Sequence, residues 1–329
     1  MVCIIMAAKK YITYFILGLL GTISLFGWSL AKDQKMTLQN KFPKPVIIPH
    51  HQWEAFPSAG VAADASRRNI GQGENFTFKD IELKVLEVIL QDTLDSTPIE
   101  KVKICLSSRD KMLEQVFREG EAFNWNGYHV AVVAIHGKKG ELGEGLTEFE
   151  IADIDSLPVG LASSTTAGSV ESRLRIPHKI DKLTLHHSGD PKPVALGDDI
   201  PQKLRGLQSW GANDKNWWDV PYHFFIGPDG TIYEGRDYHY MGETNTRYNP
   251  AGHLLINVVG NYEIQEPNDA QLKSVMDLMA WAVQEFNVPL NEIYGHRDLA
   301  QTDCPGENLY RYLKDGKIKQ GIKERLHLK

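Results

Sequence analysis

Three residues in the C-terminal half of this chain could share one piece of chemistry: His186 in LTLHHSG, His296 in IYGHRD and Cys304 in QTDCPG. Zinc accepts imidazole nitrogen and thiolate sulfur, and a catalytic zinc keeps three protein ligands so that water or a substrate oxygen takes the fourth position. Two histidines and one cysteine meet that rule in number and kind. The eight-residue gap between His296 and Cys304 is no fixed metal motif. On spacing alone, a shared ion and three separately hydrogen-bonded side chains both stay open. The His50-His51 pair has no carboxylate or cysteine at ligand spacing and reads as surface histidine.

The elements that would position these residues alternate between strand and helix. An apolar strand ends in LTLHH, and a helix is expected around Ile200 to Trp210. Strands YHFFIG and TIYEGR are joined by Pro228-Asp229-Gly230, and LLINVV gives one more strand. Asn268 can cap a long helix in which Leu272, Val275, Met276, Met279, Val283 and Phe286 recur at three- and four-residue spacing. Strands interleaved with helices predict an α/β domain over residues 172–329, a mixed sheet covered by helices. Residues 71–151 alternate instead: Phe76/Phe78, Ile81/Leu83/Val85, Val102/Ile104/Leu106 and Val130/Val132/Ala134, with Asn126-Gly127 suited to a two-residue hairpin turn. They predict a small, mostly antiparallel β domain. Residues 152–171 are rich in Ser, Thr, Ala and Gly and read as a linker. Residues 32–70, with Pro43, Pro45, Pro49 and Pro57, read as an extended segment.

Composition narrows the function classes. The chain has 329 residues, 42% hydrophobic and 24% charged, which excludes a disordered or collagen-like chain. Its net charge of −6, with no run of five like charges, lacks the basic footprint of a nucleic-acid binder. Three cysteines, one of them Cys3, exclude a disulfide framework, and Cys105 reads as a partly buried free thiol. Residues 1–31 combine Lys9-Lys10, an apolar run from Tyr11 to Trp28, and the small residues Ser29 and Ala31. That is the pattern of a secretory signal. The same run, residues 11–30, also has the roughly 20 residues that a membrane anchor needs. Either way the remainder is expected to be exported, to a periplasm, a cell envelope or the medium.

Taken in order, LTLHHSG, WWDVPYHFFIGPDGTIYEGRD, INVVGNYE and YGHRDLAQTDCPG resemble the zinc-dependent N-acetylmuramoyl-L-alanine amidases of the peptidoglycan recognition protein and phage-type amidase superfamily, across residues 172 to about 315. The resemblance implies that His186, His296 and Cys304 hold Zn2+, with His187 a neighbour rather than a ligand. It implies a catalytic Tyr222, whose hydroxyl serves the developing oxyanion or the attacking water, and a Thr302 that donates to the carbonyl oxygen. It also places Trp217, Asn249 and Lys215 along the substrate groove, where packing or surface roles compete. The implied partner is peptidoglycan or its muropeptides, and the implied reaction cuts the amide between the lactyl group of N-acetylmuramic acid and L-alanine. A non-catalytic peptidoglycan-binding module is the alternative, and a hydrolase of another amide a third. Two positions depart from relatives. Asn257 stands where cytoplasmic members carry a glutamate base, and Thr244, in Gly242-Glu243-Thr244-Asn245, stands where many carry histidine. The role of residues 71–151 is not implied by the resemblance.

Overall fold

The computed structural model describes residues 41–58, 60–91, 99–136, 145–157, 174–215 and 217–328. The leader lies outside them. Among the described residues no helix is long and apolar enough to cross a membrane.

The chain first lays down β1 (Ile47–Ile48) and β2 (Val61–Ala62), then eight strands of a β domain. These are β3 (Ala65–Gly71), β4 (Asn75–Phe78), β5 (Ile81–Gln91), β6 (Ile99–Ser108), β7 (Lys111–Arg118), β8 (Ala122–Trp125), β9 (Tyr128–His136) and β10 (Leu146–Asp153). They form two four-stranded antiparallel sheets, ordered β3-β10-β9-β8 and β4-β5-β6-β7. Their alternating apolar residues meet in one core that includes Ile81, Leu83, Val85, Ile104, Leu106, Val130, Val132, Phe149 and Ile151. Asn126 and Gly127 turn the β8–β9 hairpin with φ of 51° and 87°, the positive pair that a type I′ turn requires. Cys105 is a half-buried free thiol.

The C-terminal half opens with β11 (Leu174–Arg175) and β12 (Lys182–His187), followed by α1 (Ile200–Asp214), β13 (Phe224–Ile226), β14 (Ile232–Glu234) and β15 (His253–Val258). It closes with α2 (Asp269–Phe286), β16 (Ile293–Gly295), α3 (Glu307–Lys314) and α4 (Lys317–Arg325). The sheet runs β1-β14-β13-β15-β12-β16, and every pair is parallel except β13–β14. Every residue of β15 is buried, as an interior parallel strand covered on both faces must be. The Asn268 side chain and Gln271 form a reciprocal capping box at the start of α2, whose Leu272, Val275, Met279 and Val283 are buried. This is the expected mixed α/β architecture behind a β-rich region.

Three boundaries differ from the sequence reading. The β domain begins at Ala65, inside the stretch 32–70 taken as extended, because the polar run Ser66-Arg67-Arg68-Asn69 hides a strand paired to β10. It ends at Asp153, past 151, so the stretch 152–171 is not all linker. Residues 154–156 make one 3-10 turn, and 158–173 lie outside the described residues. The segment from Ile47 to Phe56 is part of the C-terminal half's core. Ile47–Ile48 pairs with β14, and Trp53 is buried among Val194, Ile200, Leu204, Val220, Phe225 and Val259. The Trp53 indole N–H donates to the Glu234 carbonyl at 2.7 Å. His50 is not a free surface histidine: its ring lies 3.0 Å from Glu54 and 3.2 Å from the buried Asp219, whose carboxylate drives the imidazole pKa up against its own burial.

Candidate metal centre

The parallel sheet delivers two of the three donors side by side. His186 lies near the C-terminal end of β12, the end of a strand where open α/β sheets build their sites. Register pairs Leu185 with Gly295 of β16, so the next residue, His296, emerges next to His186, with ring centroids 4.6 Å apart. Cys304 returns on the loop after β16, which is closed by Arg297. That residue's backbone N–H donates to the Cys304 carbonyl at 2.9 Å, and its guanidinium bridges Glu263 and Glu307. One donor atom from each of His186, His296 and Cys304 lies within 4.8 Å of the others, and all three residues are buried.

The donor chemistry fits a zinc ion. His186 Nδ1 and Cys304 Sγ are 3.6 Å apart, and a tetrahedral zinc with ordinary Zn–N and Zn–S bonds sets that separation at about 3.6 Å. The other nitrogen of each imidazole is already engaged: His186 Nε2 faces the Tyr248 hydroxyl at 3.2 Å, and His296 Nε2 faces Thr246 Oγ1 at 2.8 Å. His296 Nδ1 is left buried with no partner, an arrangement that costs free energy unless something accepts it. The His187 backbone N–H approaches Cys304 Sγ at 3.4 Å, a contact that favours the thiolate. Burial drives the His186 pKa well below its ordinary value and that of His296 to about 3, each helped by neighbouring imidazoles, while burial pushes the Cys304 thiol up to about 12. At neutral pH the two imidazoles are therefore neutral and the thiol protonated. His187 turns away and takes the Tyr262 backbone N–H on its Nδ1.

Tyr222 reaches the same place from the residues before β13, half-buried, its ring centroid 4.8 Å from that of His186. Burial raises its hydroxyl pKa, so it stays protonated. Thr302 Oγ1 accepts the Cys304 backbone N–H at 3.2 Å, which leaves its own O–H free to donate elsewhere. The three groove candidates make their contacts elsewhere. Trp217 is 3% exposed and packs edge-on against Trp210, Lys215 lies over that same Trp210 ring, and Asn249 caps a turn by accepting the Ala251 N–H.

Two residues at the centre escaped the sequence reading: Thr246 and Tyr248, which hold the outer nitrogens of the ligand histidines. Such outer partners fix the tautomer and orientation of a metal-binding imidazole. Both lie in the irregular stretch after Gly242, where no periodicity marks them. Gly242 itself is dictated by close approach, since a Cβ there would meet Leu255 Cδ1 at 2.4 Å and the Pro221 carbonyl at 2.7 Å. Asn257, paired in register with His186, is fully buried, and its side chain lies against the Tyr222 hydroxyl, where it works against the rise that burial imposes on that hydroxyl's pKa.

An α/β sheet with a His-His-Cys cluster at its strand ends is an amidase-like fold with a candidate metal site, and known proteins are similar to it. Residues 177–307 match the family model described as N-acetylmuramoyl-L-alanine amidase. Mouse peptidoglycan recognition protein 1 is 34% identical over 146 residues, which span 44% of this chain and 79% of that protein. A human N-acetylmuramoyl-L-alanine amidase is 32% identical over 135 residues, 40% of this chain, and the match covers only 23% of the human protein's length. The solved structure of Drosophila peptidoglycan recognition protein SD matches at 29% identity, covering 45% of this chain and 85% of that one, with a TM-score of 0.37. The chain belongs to the N-acetylmuramoyl-L-alanine amidase and peptidoglycan recognition protein family. Its β domain lies outside the matched region.

Proposed function

We propose that this protein is an exported, zinc-dependent N-acetylmuramoyl-L-alanine amidase that cuts the bond between the lactyl group of N-acetylmuramic acid and L-alanine in peptidoglycan or its fragments. The observation that carries the reading is the convergence of His186, His296 and Cys304 with His296 Nδ1 buried and unpaired. When bound there, zinc supplies Lewis acidity toward the scissile carbonyl and an acidified water near neutral pH. The Tyr222 hydroxyl, held protonated by burial, donates to charge developing on the carbonyl oxygen or orients the attacking water. Thr302 adds a second donor, because its oxygen accepts the Cys304 N–H while its O–H remains to donate. Asn257 cannot accept the attacking water's proton, so no carboxylate base works from that strand. Trp217, Lys215 and Asn249 are the candidates for contacts with the stem peptide.

The alternative, a module that binds peptidoglycan without cutting it, predicts a different outcome in one experiment. Purified protein loaded with zinc is incubated with muropeptides, and the products are resolved by mass. Release of L-alanyl peptides that stops with a chelator, returns with zinc and is lost in Cys304→Ser supports the amidase. Binding without release, or cleavage indifferent to chelator, overturns it.

A further inference from the structure

The β domain is joined to the metal centre by a chain of contacts that begins in β3 and β10. Arg67, Glu148 and Glu150 are buried there, and the Arg67 guanidinium binds Glu150 and, across the domain boundary, Glu243. The Glu243 carboxylate also takes Arg236 Nη1 at 2.8 Å, and Arg236 in turn holds the Val220 and Met241 carbonyls. One position along, Asn69 donates its amide to the Thr244 carbonyl at 2.8 Å, and Arg247 pairs with Glu74.

The same short stretch faces the ligands with its other residues. Thr244 and Thr246 join their hydroxyls at 2.7 Å, Thr246 meets His296 Nε2 at 2.8 Å, and Tyr248 meets His186 Nε2. Residues 243, 244 and 247 thus meet the β domain, while 244, 246 and 248 meet the ligand histidines or each other. Glu243 and Thr244 are the two residues that β3 grips. We infer that the β domain is a positioning module of the metal centre: through Arg67 and Asn69 it fixes residues 243–248, and these orient His296 and His186 for the ion. Arg67 and Asn69 are positioning residues, since neither touches the ligands. The inference rests on the metal reading above and adds to it a function for the region outside the family match.

The test uses the full chain and reads metal affinity by competition with a chromophoric chelator, together with the visible spectrum of the cobalt-substituted protein. Thr246→Val sets the scale, because losing the outer partner of a ligand histidine costs about 10- to 100-fold in affinity. Arg67→Lys, which keeps the charge but loses the fork, and Asn69→Ala are expected to weaken zinc by about threefold or more and to shift the cobalt spectrum. Combined with Thr246→Val, the Asn69→Ala loss is expected to shrink rather than multiply, since both act through one segment. If Arg67→Lys does not fold, Asn69→Ala decides. Variants with lowered thermal stability but wild-type zinc affinity and an unshifted cobalt spectrum overturn the inference. A wild-type protein that binds neither metal overturns the underlying metal reading instead.

Discussion

Metal binding at this centre is expected to release one proton, and the structure says which. Burial holds His296 near a pKa of about 3 and drives His186 well down, so neither imidazole carries an extra proton to give up above pH 5. Cys304, pushed up to about 12, does. A ligand thiol must lose its proton to bind, so zinc affinity rises with pH with a slope of one decade per unit. Between pH 5.0 and 6.5, below the region where a coordinated water ionises, the gain is about 30-fold, or about 2 kcal/mol at 1.36 kcal/mol per unit. Histidines at their ordinary values would add up to two further protons at the acid end and a slope near three. Chelator competition across this range measures the slope, and calorimetry in buffers of different ionisation enthalpy counts the proton directly. Cys304→Ser should bind more weakly and with a nearly flat pH response. A slope near three in the wild type, or an unchanged slope in Cys304→Ser, would refute the assignment of protonation states.

Two further predictions follow from particular side chains. Tyr222→Phe should keep zinc yet lower kcat on muropeptides by about 10²- to 10⁴-fold, the range for a lost donor at developing charge; undiminished turnover removes Tyr222 from the mechanism. Trp53→Ala should destabilise the folded protein by about 3–5 kcal/mol for the buried ring, with about 1 kcal/mol more for the stranded Glu234 carbonyl. Urea unfolding measures it, and a loss below about 1 kcal/mol would show that the segment around Trp53 does not belong to the core.

Much of this architecture could be read from pattern because burial writes itself into periodicity. The capping box at Asn268, the apolar stripe of α2 and the Asn126-Gly127 hairpin all carry local chemistry that fixes local geometry. The His-His-Cys set was legible by donor type, and the parallel sheet supplied the adjacency that spacing could not. What stayed hidden has no period. β1 spans two residues, and Trp53 finds its partners more than 100 positions away, from Val194 onward. β3 reads as polar because Arg67 points into a buried charged network and Asn69 bonds the Thr244 carbonyl, neither entering an apolar core. Thr246 and Tyr248 hold imidazoles from an irregular stretch, where one hydroxyl in a run of polar residues looks like any other.

The parallel pairing of β2 with β11, Val61 beside Leu174 and Ala62 beside Arg175, has a topological consequence. The chain leaves the α/β half and comes back to it at one spot, travelling in the same direction, after β1 and Trp53 are already in place. The β domain is therefore an insertion on a two-strand stem rather than a separate bead at the N-terminus. Trimming from that end would tear out a sheet strand and a core tryptophan before reaching it. Internal excision that splices the chain at the stem would remove it cleanly, and would leave Glu243 to Arg236 alone.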